Sequence, residues 1–429
     1  LLRIEDTDTE RNRPELTQNI LDMLGWLGLR WDGEPVHQSE RAALYAGAAE
    51  RLLVAGRAYW CDCTAEATQA RAKERGGPPG YDGFCRDRQL ERGPTTALRF
   101  RTPDEGATTF DDIVRGQVAV ENRTLEDFVL LRSSGTPTFL LANIVDDADM
   151  GITHVVRGEE HVNGTPKYLC LGDALGLAYR PVFAHLPVLV NEQRKKLSKR
   201  RDSVSVQAFR DEGYLPSAMV NYLALLGWGP KDGIEVRPLA EIQEQFRLED
   251  VGSAPAFFDV KKLQHVNAEH LRALPVDQFL DESRPFLEHG DAIGVLRTVA
   301  SLVQERVRLL SEVEPMIAFL LDAPLVVDDD AWTKTMVKGK AAPEMLRATI
   351  EALVGLEPWD ADDIRGAIEG AAVTVGLVNA EGHAQLSKAQ GPVRVATTGR
   401  TVGPPLFESL EALGKERTIA RLRAASARL

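Results

Sequence analysis

Residues 152–190 read ITHVVRGEEHVNGTPKYLCLGDALGLAYRPVFAHLPVLV, and this stretch alternates between two patterns of secondary structure. Its two ends, residues 152–161 and 182–190, are rich in β-branched and apolar residues and predict strands. The segment between them predicts a helix, and the preceding run TFLLANIVDD, residues 138–147, predicts a further strand. Apolar strands that alternate with a helix are typical of an α/β domain with buried parallel strands.

The flanking sequence adds helices and one β-rich segment. Residues 15–58 predict two helices, the second with Ser39 as its N-cap, because apolar residues recur three and four positions apart. Residues 95–132 contain three β-type stretches, TALRFRT, GQVAVEN and DFVLLRS. After about residue 204 the pattern is mostly helical, and the last segment predicts an apolar helix, a glycine break and a basic helix.

The composition excludes several classes of protein. At roughly 100–200 residues per domain, the 429 residues predict two to four domains, with no apolar run of membrane-spanning length and no secretory signal at the acidic start. Only four cysteines are present, which fits a reducing cytoplasm better than a disulfide framework. The net charge of −13 argues against a general nucleic-acid coat protein, but a local basic face still permits a specific RNA partner.

One such basic face is RKKLSKRRD, residues 194–202, in which six of the eight residues from 194 to 201 are cationic. A solvated surface loop is one interpretation, and a site for a phosphate ligand or nucleic acid is the other. Like charges repel one another unless an anion lies near them. Lys196 and Lys199 follow a predicted strand, where two lysines suit a polyphosphate whose charge grows in a transition state.

Two other charged stretches lie at predicted strand ends. VVRGEEH, residues 155–161, places Arg157 and two carboxylates where open α/β sheets bind their ligands. A buried charge there is costly without a partner, and Arg157 could bind a carboxylate through two parallel hydrogen bonds. LRIEDTD, residues 2–8, puts Arg3 beside three carboxylates, which either begin a helix or face an ammonium group or a ribose.

The cysteine-rich segment permits a zinc site. Cys61 and Cys63 in CDC, with Cys85 in YDGFC, can supply three thiolates to a tetrahedral ion, or they can be unligated. The fourth ligand stays open among Tyr81, Asp87 and water.

These motifs together resemble one family. LRIEDTD, VVDDADMGITHVVRGEEH, AHLPVLVNEQRKKLSKR and EGYLPSAMVNYLALLGWG resemble, in family order, the signatures of bacterial glutamyl-tRNA synthetase, a class I aminoacyl-tRNA synthetase. The stretch RVATTGRTVGPPLFESLEALGKERTIARL resembles the C-terminal end of the same enzymes. The resemblance covers nearly the whole chain.

The resemblance implies a Rossmann-type α/β catalytic domain with an inserted α+β acceptor-binding domain, followed by all-α C-terminal anticodon-binding domains. In this chain it implies residues 1–60 and 139–203 as the two parts of the catalytic domain, 61–138 as the insert, 204–275 as a stem-contact helical domain and 276–429 as the helical anticodon-binding domain.

The same resemblance implies a function. The chain is expected to activate L-glutamate with ATP and Mg²⁺ and to transfer it to the 3′ end of tRNA(Glu), as a cytoplasmic monomer. By resemblance, Lys196, Ser198 and Lys199 hold the ATP phosphates, with Lys196 and Lys199 as the catalytic lysines, and Glu159 lies close to the ATP and the tRNA 3′ end. Glutamate is expected to contact Glu5, Phe139, Asn143 and Arg157; tRNA to contact Arg200, Arg201 and Arg306; and zinc to be held by Cys61, Cys63, Tyr81 and Cys85.

Two positions and one motif depart from the family pattern. Phe139 stands where some members have tyrosine, and Asp87 stands where some have histidine after the last cysteine. The family opens with a strand and a His-Ile-Gly-His-type motif, and the sequence as given starts after it. We therefore expect this chain alone to be inactive or nearly so.

Three other classes of protein are alternatives to a glutamyl-tRNA synthetase. A glutaminyl-tRNA synthetase is expected to have β-barrel anticodon domains, whereas residues 276–429 predict helices, and a glutamyl-queuosine-type paralogue lacks an anticodon-binding domain. A non-catalytic tRNA-binding protein derived from a synthetase is the third alternative. Discrimination between glutamate and glutamine tRNA depends on helical residues near 300–310, such as Gln304 or Arg306, and the sequence leaves it open.

Overall fold

The computed structural model describes residues 1–7, 12–76, 80–197, 205–339 and 341–429. The strands are β1 (Arg3–Ile4), β2 (Val36–His37), β3 (Ala58–Cys61), β4 (Ala97–Phe100), β5 (Ala107–Asp112), β6 (Gly116–Glu121), β7 (Val129–Leu131), β8 (His154–Gly158), β9 (Val182–Leu186), β10 (Leu189–Val190) and β11 (Ala256–Phe257).

The α-helices are α1 (Pro14–Trp26), α2 (Ala42–Val54), α3 (Ala65–Glu74), α4 (Phe139–Asp149), α5 (Thr165–Ala174), α6 (Val206–Glu212), α7 (Pro216–Ala224), α8 (Leu239–Gln245), α9 (Val260–Ala273), α10 (Val276–Ser283), α11 (Ala292–Gln304), α12 (Val313–Ile317), α13 (Asp329–Trp332), α14 (Ala342–Val354), α15 (Ala361–Thr374), α16 (Leu386–Thr398), α17 (Leu406–Leu413) and α18 (Lys415–Arg428).

The chain divides into two compact units. The first comprises Leu1–Ser203 and Val220–Asp259, and the second comprises Val204–Met219 and Val260–Leu429. The first unit is built around α/β layers, and the second is helical throughout its described residues. Among the described residues, no helix has the length and apolar character that crossing a membrane requires.

The central sheet of the first unit has the strand order β6-β5-β9-β8. Strands β8 and β9 run parallel, with Arg157 opposite His185, and helix α5 connects them. The parallel strands predicted from residues 152–161 and 182–190 are therefore confirmed over His154–Gly158 and Val182–Leu186, whereas Leu189–Val190 forms the separate strand β10, which pairs with β11. Phe183 and Ala184 of β9 are almost fully buried, together with Tyr168 and Leu171 of α5, so the helix covers the sheet with apolar contacts.

Helix α4, Phe139–Asp149, takes up almost all of residues 138–147, and the strand predicted for TFLLANIVDD is wrong. A short apolar run does not by itself distinguish a strand from a buried helix, and here the helix is favoured because its inner face buries Leu141 and Ile144. Ser39 is not the N-cap of α2 either. It lies in a 3₁₀ turn, and its backbone N–H and hydroxyl both donate to Asp6, at 2.8 Å and 2.7 Å.

The segment between β3 and β7 contains the three β-type stretches that the sequence predicts. Strands β3, β4 and β7 form an antiparallel sheet, whereas β5 and β6 form a hairpin. Strand β5 also joins the central sheet, because Asp112 pairs in parallel with Phe183. The hairpin of β5 and β6 therefore extends the sheet that carries Arg157.

The second unit packs its helices around a core of buried side chains that includes Met345, Ile364 and Leu410. Its last two helices, α17 and α18, meet at Gly414, as the sequence predicts. Beyond Phe257 the described residues contain no strand, which disagrees with the β-barrel anticodon domains expected of a glutaminyl-tRNA synthetase.

Candidate active site

A cavity of about 480 Å³ lies along β8 in the first unit. Glu5, Phe139, Asn143 and Arg157, the four residues predicted to contact glutamate, line it together. They come from the loop after β1, from the first turns of α4 and from β8. Its size and its mixture of apolar walls with a few polar groups suit a small organic ligand. The other lining residues are Leu1, Arg3, Asp147, Ile152, His154, Val155, Val156 and His161.

Arg157 is held by hydrogen bonds along one edge of its guanidinium group. Its Nε donates to His185 Nε2 at 3.2 Å, and its Nη2 donates to Thr165 Oγ1 at 2.8 Å. Burial lowers the pKa of Arg157 from its ordinary value, although a guanidinium remains charged at neutral pH. Among the described residues no hydrogen bond uses Nη1, so both of its N–H groups are available to an anion in the cavity.

The side-chain amide oxygen of Asn143 already accepts a hydrogen bond within the protein. Its Oδ1 accepts a hydrogen bond from Gln38 Nε2 at 2.9 Å, and the same nitrogen donates to Asp146 Oδ2 at 3.0 Å. Gln38 and Asp146 are both buried, so they fix the orientation of the Asn143 amide. The amide nitrogen of Asn143 is left to donate toward the cavity.

Arg3 and Asp147 form a charged pair in the cavity wall that the sequence motifs do not predict. Arg3 Nη1 donates to Asp147 Oδ1 at 2.8 Å, and the Tyr168 hydroxyl donates to Asp147 Oδ2 at 2.9 Å. Arg3 Nη2 also lies 3.4 Å from Glu5 Oε1. The acidic residues inside the apolar run IVDDADM were the available signal, because a buried carboxylate needs a partner.

The loop after β8 carries further predicted residues. Glu159 forms an ion pair with Arg115, and Glu160 Oε1 lies 3.3 Å from Lys196 Nζ. Lys196 is exposed and follows the β10 strand, so a basic side chain stands beside the loop that begins at Glu159. The other predicted residues of the basic run, Ser198, Lys199, Arg200 and Arg201, lie outside the described residues.

The three cysteines of the insert lie together. The sulfur atoms of Cys61, Cys63 and Cys85 are all within 4.8 Å of one another, and those of Cys63 and Cys85 are 3.5 Å apart. Arg71 Nη2 and Arg88 Nη1 each lie 3.3 Å from one of these sulfur atoms. Thiolates around a tetrahedral zinc ion have similar separations, so this donor set fits the ion.

Two oxygen donors border the sulfur cluster. The Tyr81 hydroxyl lies 3.5 Å from Cys61 Sγ and accepts the Cys85 backbone N–H at 2.8 Å. Asp62 Oδ1 lies 3.4 Å from Cys85 Sγ. Asp87, considered from the sequence, has an exposed side chain and pairs instead with an arginine, which makes it the weaker candidate for a fourth ligand.

Arg306 lines a cavity of about 860 Å³ in the second unit. Arg308 and Arg400 line the same cavity, so three guanidinium groups are available to an anionic or polar ligand. Gln304 is buried, and its amide nitrogen donates to the carbonyl oxygen of Leu271 at 2.7 Å. The side chain of Gln304 therefore forms its hydrogen bonds within the helical core.

Comparison with known families gives the class of the protein. Residues 1–265 match the family described as "tRNA synthetases class I (E and Q), catalytic domain", and residues 278–426 match an "Anticodon binding domain". These matches agree with the α/β first unit, its ligand-sized cavity and the helical second unit. The fold is that of a class I aminoacyl-tRNA synthetase.

Individual relatives narrow the class to a family. The glutamate–tRNA ligase of Salinispora tropica is 52% identical over 446 residues, covering 100% of this chain and 93% of the relative. That of Frankia alni is 51% identical over 440 residues, covering 100% and 91%. A crystal structure of a glutamate tRNA ligase from Elizabethkingia meningosepticum, in complex with its amino acid, has a TM-score of 0.80 and 29% identity, covering 99% of this chain and 92% of that one. The chain belongs to the glutamate–tRNA ligase family.

Proposed function

We propose that this chain ligates L-glutamate to tRNA(Glu) through the cavity along β8. The observation that supports the proposal is the convergence of Glu5, Phe139, Asn143 and Arg157 on one cavity in a member of this family. In the first step the glutamate carboxylate attacks the α-phosphate of ATP, which gives glutamyl-adenylate and pyrophosphate. In the second step a ribose hydroxyl of the tRNA terminal adenosine attacks the acyl carbon and releases AMP.

The side chains of the cavity suit the two ends of glutamate. Arg157 presents the unbonded Nη1 to the side-chain carboxylate, and Asn143 donates its amide N–H groups beside it. Glu5, with 40% of its side chain exposed, is the carboxylate that faces the ammonium group. Phe139 supplies an apolar wall, without the hydroxyl that a tyrosine would add.

Neither step needs a protein nucleophile, so the catalytic contribution is positioning and electrostatic stabilisation. Lys196, Ser198 and Lys199 are the proposed ligands of the ATP phosphates together with Mg²⁺, and Glu159 is proposed to lie beside the nucleotide and the tRNA end. The ion pair with Arg115 gives Glu159 a defined place for that role.

The remaining assignments concern tRNA, zinc and the setting of the reaction. Arg200, Arg201 and Arg306 are proposed to contact tRNA, with the arginine-lined cavity of the second unit close to the anticodon. Cys61, Cys63, Cys85 and Tyr81 are proposed to hold a zinc ion that stabilises the insert and takes no part in the chemistry. The five-domain division, a monomeric state and a cytoplasmic location also belong to this proposal.

Charging of labelled glutamate tests the proposal. The assay uses purified tRNA(Glu) and tRNA(Gln), with the chain as given and with the chain preceded by the N-terminal segment of the Salinispora tropica relative. We expect the chain that carries this added N-terminal segment (the extended form) to charge tRNA(Glu), and the ratio of its charging of the two tRNAs measures discrimination. If neither form charges tRNA while both bind it, the non-catalytic alternative replaces this proposal.

Arg157→Met, made in the extended form, tests the role of the central arginine. Loss of charge-assisted hydrogen bonds of about 2–4 kcal/mol should lower kcat/KM for glutamate by about 30-fold to 1,000-fold. Arg180→Met is the matched control, because Arg180 is exposed and outside the cavity. Equal kcat/KM values for the two variants would remove Arg157 from the glutamate site.

A further inference from the structure

A fully buried histidine lies directly behind Arg157. His185 stands on β9, opposite Arg157 of β8, and has no exposed side-chain surface. Its Nδ1 lies 2.5 Å from Asp112 Oδ2, and its Nε2 lies 3.2 Å from Arg157 Nε. The three residues therefore form a chain from the insert, through the central sheet, to the cavity.

The hydrogen bonds define which nitrogen of His185 carries the proton. Asp112 accepts the backbone N–H groups of His185, Val114 and Arg115 as well as the imidazole, so it is an acceptor throughout. Burial raises the pKa of Asp112, but these hydrogen bonds outweigh burial and lower it, which keeps the carboxylate ionised. The imidazole must then donate from Nδ1, and its Nε2 lone pair faces two donors, Arg157 Nε at 3.2 Å and the Thr165 hydroxyl at 3.1 Å.

The surroundings of His185 favour this neutral form. Phe183 stacks on the imidazole, and Phe110 packs beside it, so burial is the main cause that lowers the pKa of His185 below 6.5. The charged or titratable groups that act on it are Asp112 of the insert, Arg157 of β8 and His161 of the following loop. Two of these three oppose a second proton on the ring.

The result for Arg157 is a fixed guanidinium plane. His185 accepts from Nε while Thr165, at the start of α5, accepts from Nη2 at 2.8 Å. Two acceptors on one edge leave the opposite atom, Nη1, directed away from them. We infer that His185, oriented by Asp112, is a positioning residue that aims Arg157 at the glutamate side chain. The inference rests on the proposed function, because it assumes that Arg157 binds glutamate.

Two amide substitutions of His185 test the roles of its Nδ1 and Nε2 atoms separately. His185→Asn places its amide nitrogen near the Nδ1 position and can still donate to Asp112, but it has no atom near Nε2. His185→Gln places its carbonyl oxygen near Nε2 and can still accept from Arg157. We expect His185→Asn to raise KM for glutamate about tenfold and His185→Gln to raise it less than about threefold. In both variants KM for ATP should stay within about twofold of that of the unaltered protein.

The measurement is steady-state charging by the extended form and its variants, with the dissociation constant of a sulfamoyl analogue of glutamyl-adenylate as a second readout. Equal shifts for Asn and Gln, or equal shifts in the KM values for glutamate and ATP, would show a structural role alone and overturn the inference. If the unaltered protein binds no analogue, the proposed function fails instead.

The protonation state can also be read without any substitution. ¹⁵N NMR of the unaltered, histidine-labelled protein should show His185 protonated at Nδ1 and unprotonated at Nε2 at pH 7. This measurement decides the matter if neither variant folds. An imidazole protonated at Nε2 could not accept from Arg157, and such a spectrum would contradict the inference.

Discussion

Asp127 is a carboxylate with no exposed side-chain surface, and it holds together the segment that runs from β3 to β7. It accepts from Arg86 Nε at 2.5 Å and Nη2 at 2.6 Å, from the Tyr59 hydroxyl at 2.5 Å, and from the Thr102 hydroxyl at 2.7 Å. These donors come from β3 and from two separate loops. A single carboxylate therefore joins three parts of the chain, at a position where the sequence shows only two adjacent acidic residues, Glu126 and Asp127, before an apolar run.

We expect the contribution of Asp127 to the stability of the protein to depend on pH. Burial raises the pKa of Asp127, but the hydrogen bonds from Arg86 and Tyr59 outweigh burial and lower it below 3.8. Its contribution to stability is therefore present above about pH 4 and is lost as the pH falls through the lowered pKa. Asp127→Asn should cost about 3 kcal/mol of unfolding free energy at pH 7, because it breaks a buried ion pair.

Urea unfolding of the whole protein, followed at pH 7 and at pH 3, measures how Asp127→Asn changes the unfolding free energy. The variant should also lose less stability than the unaltered protein between these two pH values. Asp87→Asn, at an exposed position in the same segment, is the control and should change the unfolding free energy by less than about 0.5 kcal/mol. Parallel pH profiles for the unaltered protein and Asp127→Asn would contradict the assignment.

Helix α18 shows how a basic sequence pattern can serve the fold. Arg417 donates from Nη1 to the Leu320 carbonyl oxygen at 2.9 Å and from Nη2 to that of Leu321 at 2.8 Å. Arg421 donates to the carbonyl oxygen of Thr397 at 2.7 Å. Both arginines complete the hydrogen bonding of helix ends within the second unit, so the basic pattern of this helix is not by itself a measure of its tRNA contacts.

Arg417→Met should therefore act on stability. Removing its charge-assisted hydrogen bonds leaves two carbonyl groups without their donors and should cost about 2 kcal/mol of unfolding free energy. Arg423→Met is the matched control, since Arg423 is exposed on the same helix and should cost less than about 0.5 kcal/mol. Chemical denaturation measures both, and equal costs would mean that the contacts of Arg417 contribute nothing.

At the scale of the whole molecule, a zinc ion bound at the proposed site should stabilise the first unit and leave the stability of the second unit unchanged. The thiol cluster is confined to the insert of the first unit, so a chelator should lower the melting temperature of that unit by about 5 °C or more and leave the helical unit unchanged. Metal analysis should give about one zinc per chain, lost in Cys63→Ser and retained in Cys170→Ser. Absence of zinc from the unaltered protein would leave a cluster of unligated thiols.

Local patterns were sufficient for much of the architecture. The parallel strands β8 and β9 and the glycine between α17 and α18 could be predicted because each is encoded by a contiguous run of residues. The four cavity residues were found through the resemblance to a known family, which can be recognised without knowing the neighbours of each residue in space. Their roles in binding remain predictions.

Partners distant in the sequence could be seen only in the folded chain. Arg3 bonds Asp147 across 144 positions, and His185 bonds Asp112 across 73 positions. No local pattern predicts such a pair, because whether a charge is buried, and what meets it there, depends on how the elements pack. The same reason explains α4, where an apolar run was compatible with a strand and packing against the core favoured a helix. The sequence alone specified the motifs that supply the chemistry, whereas tertiary packing selected the side chains that orient them.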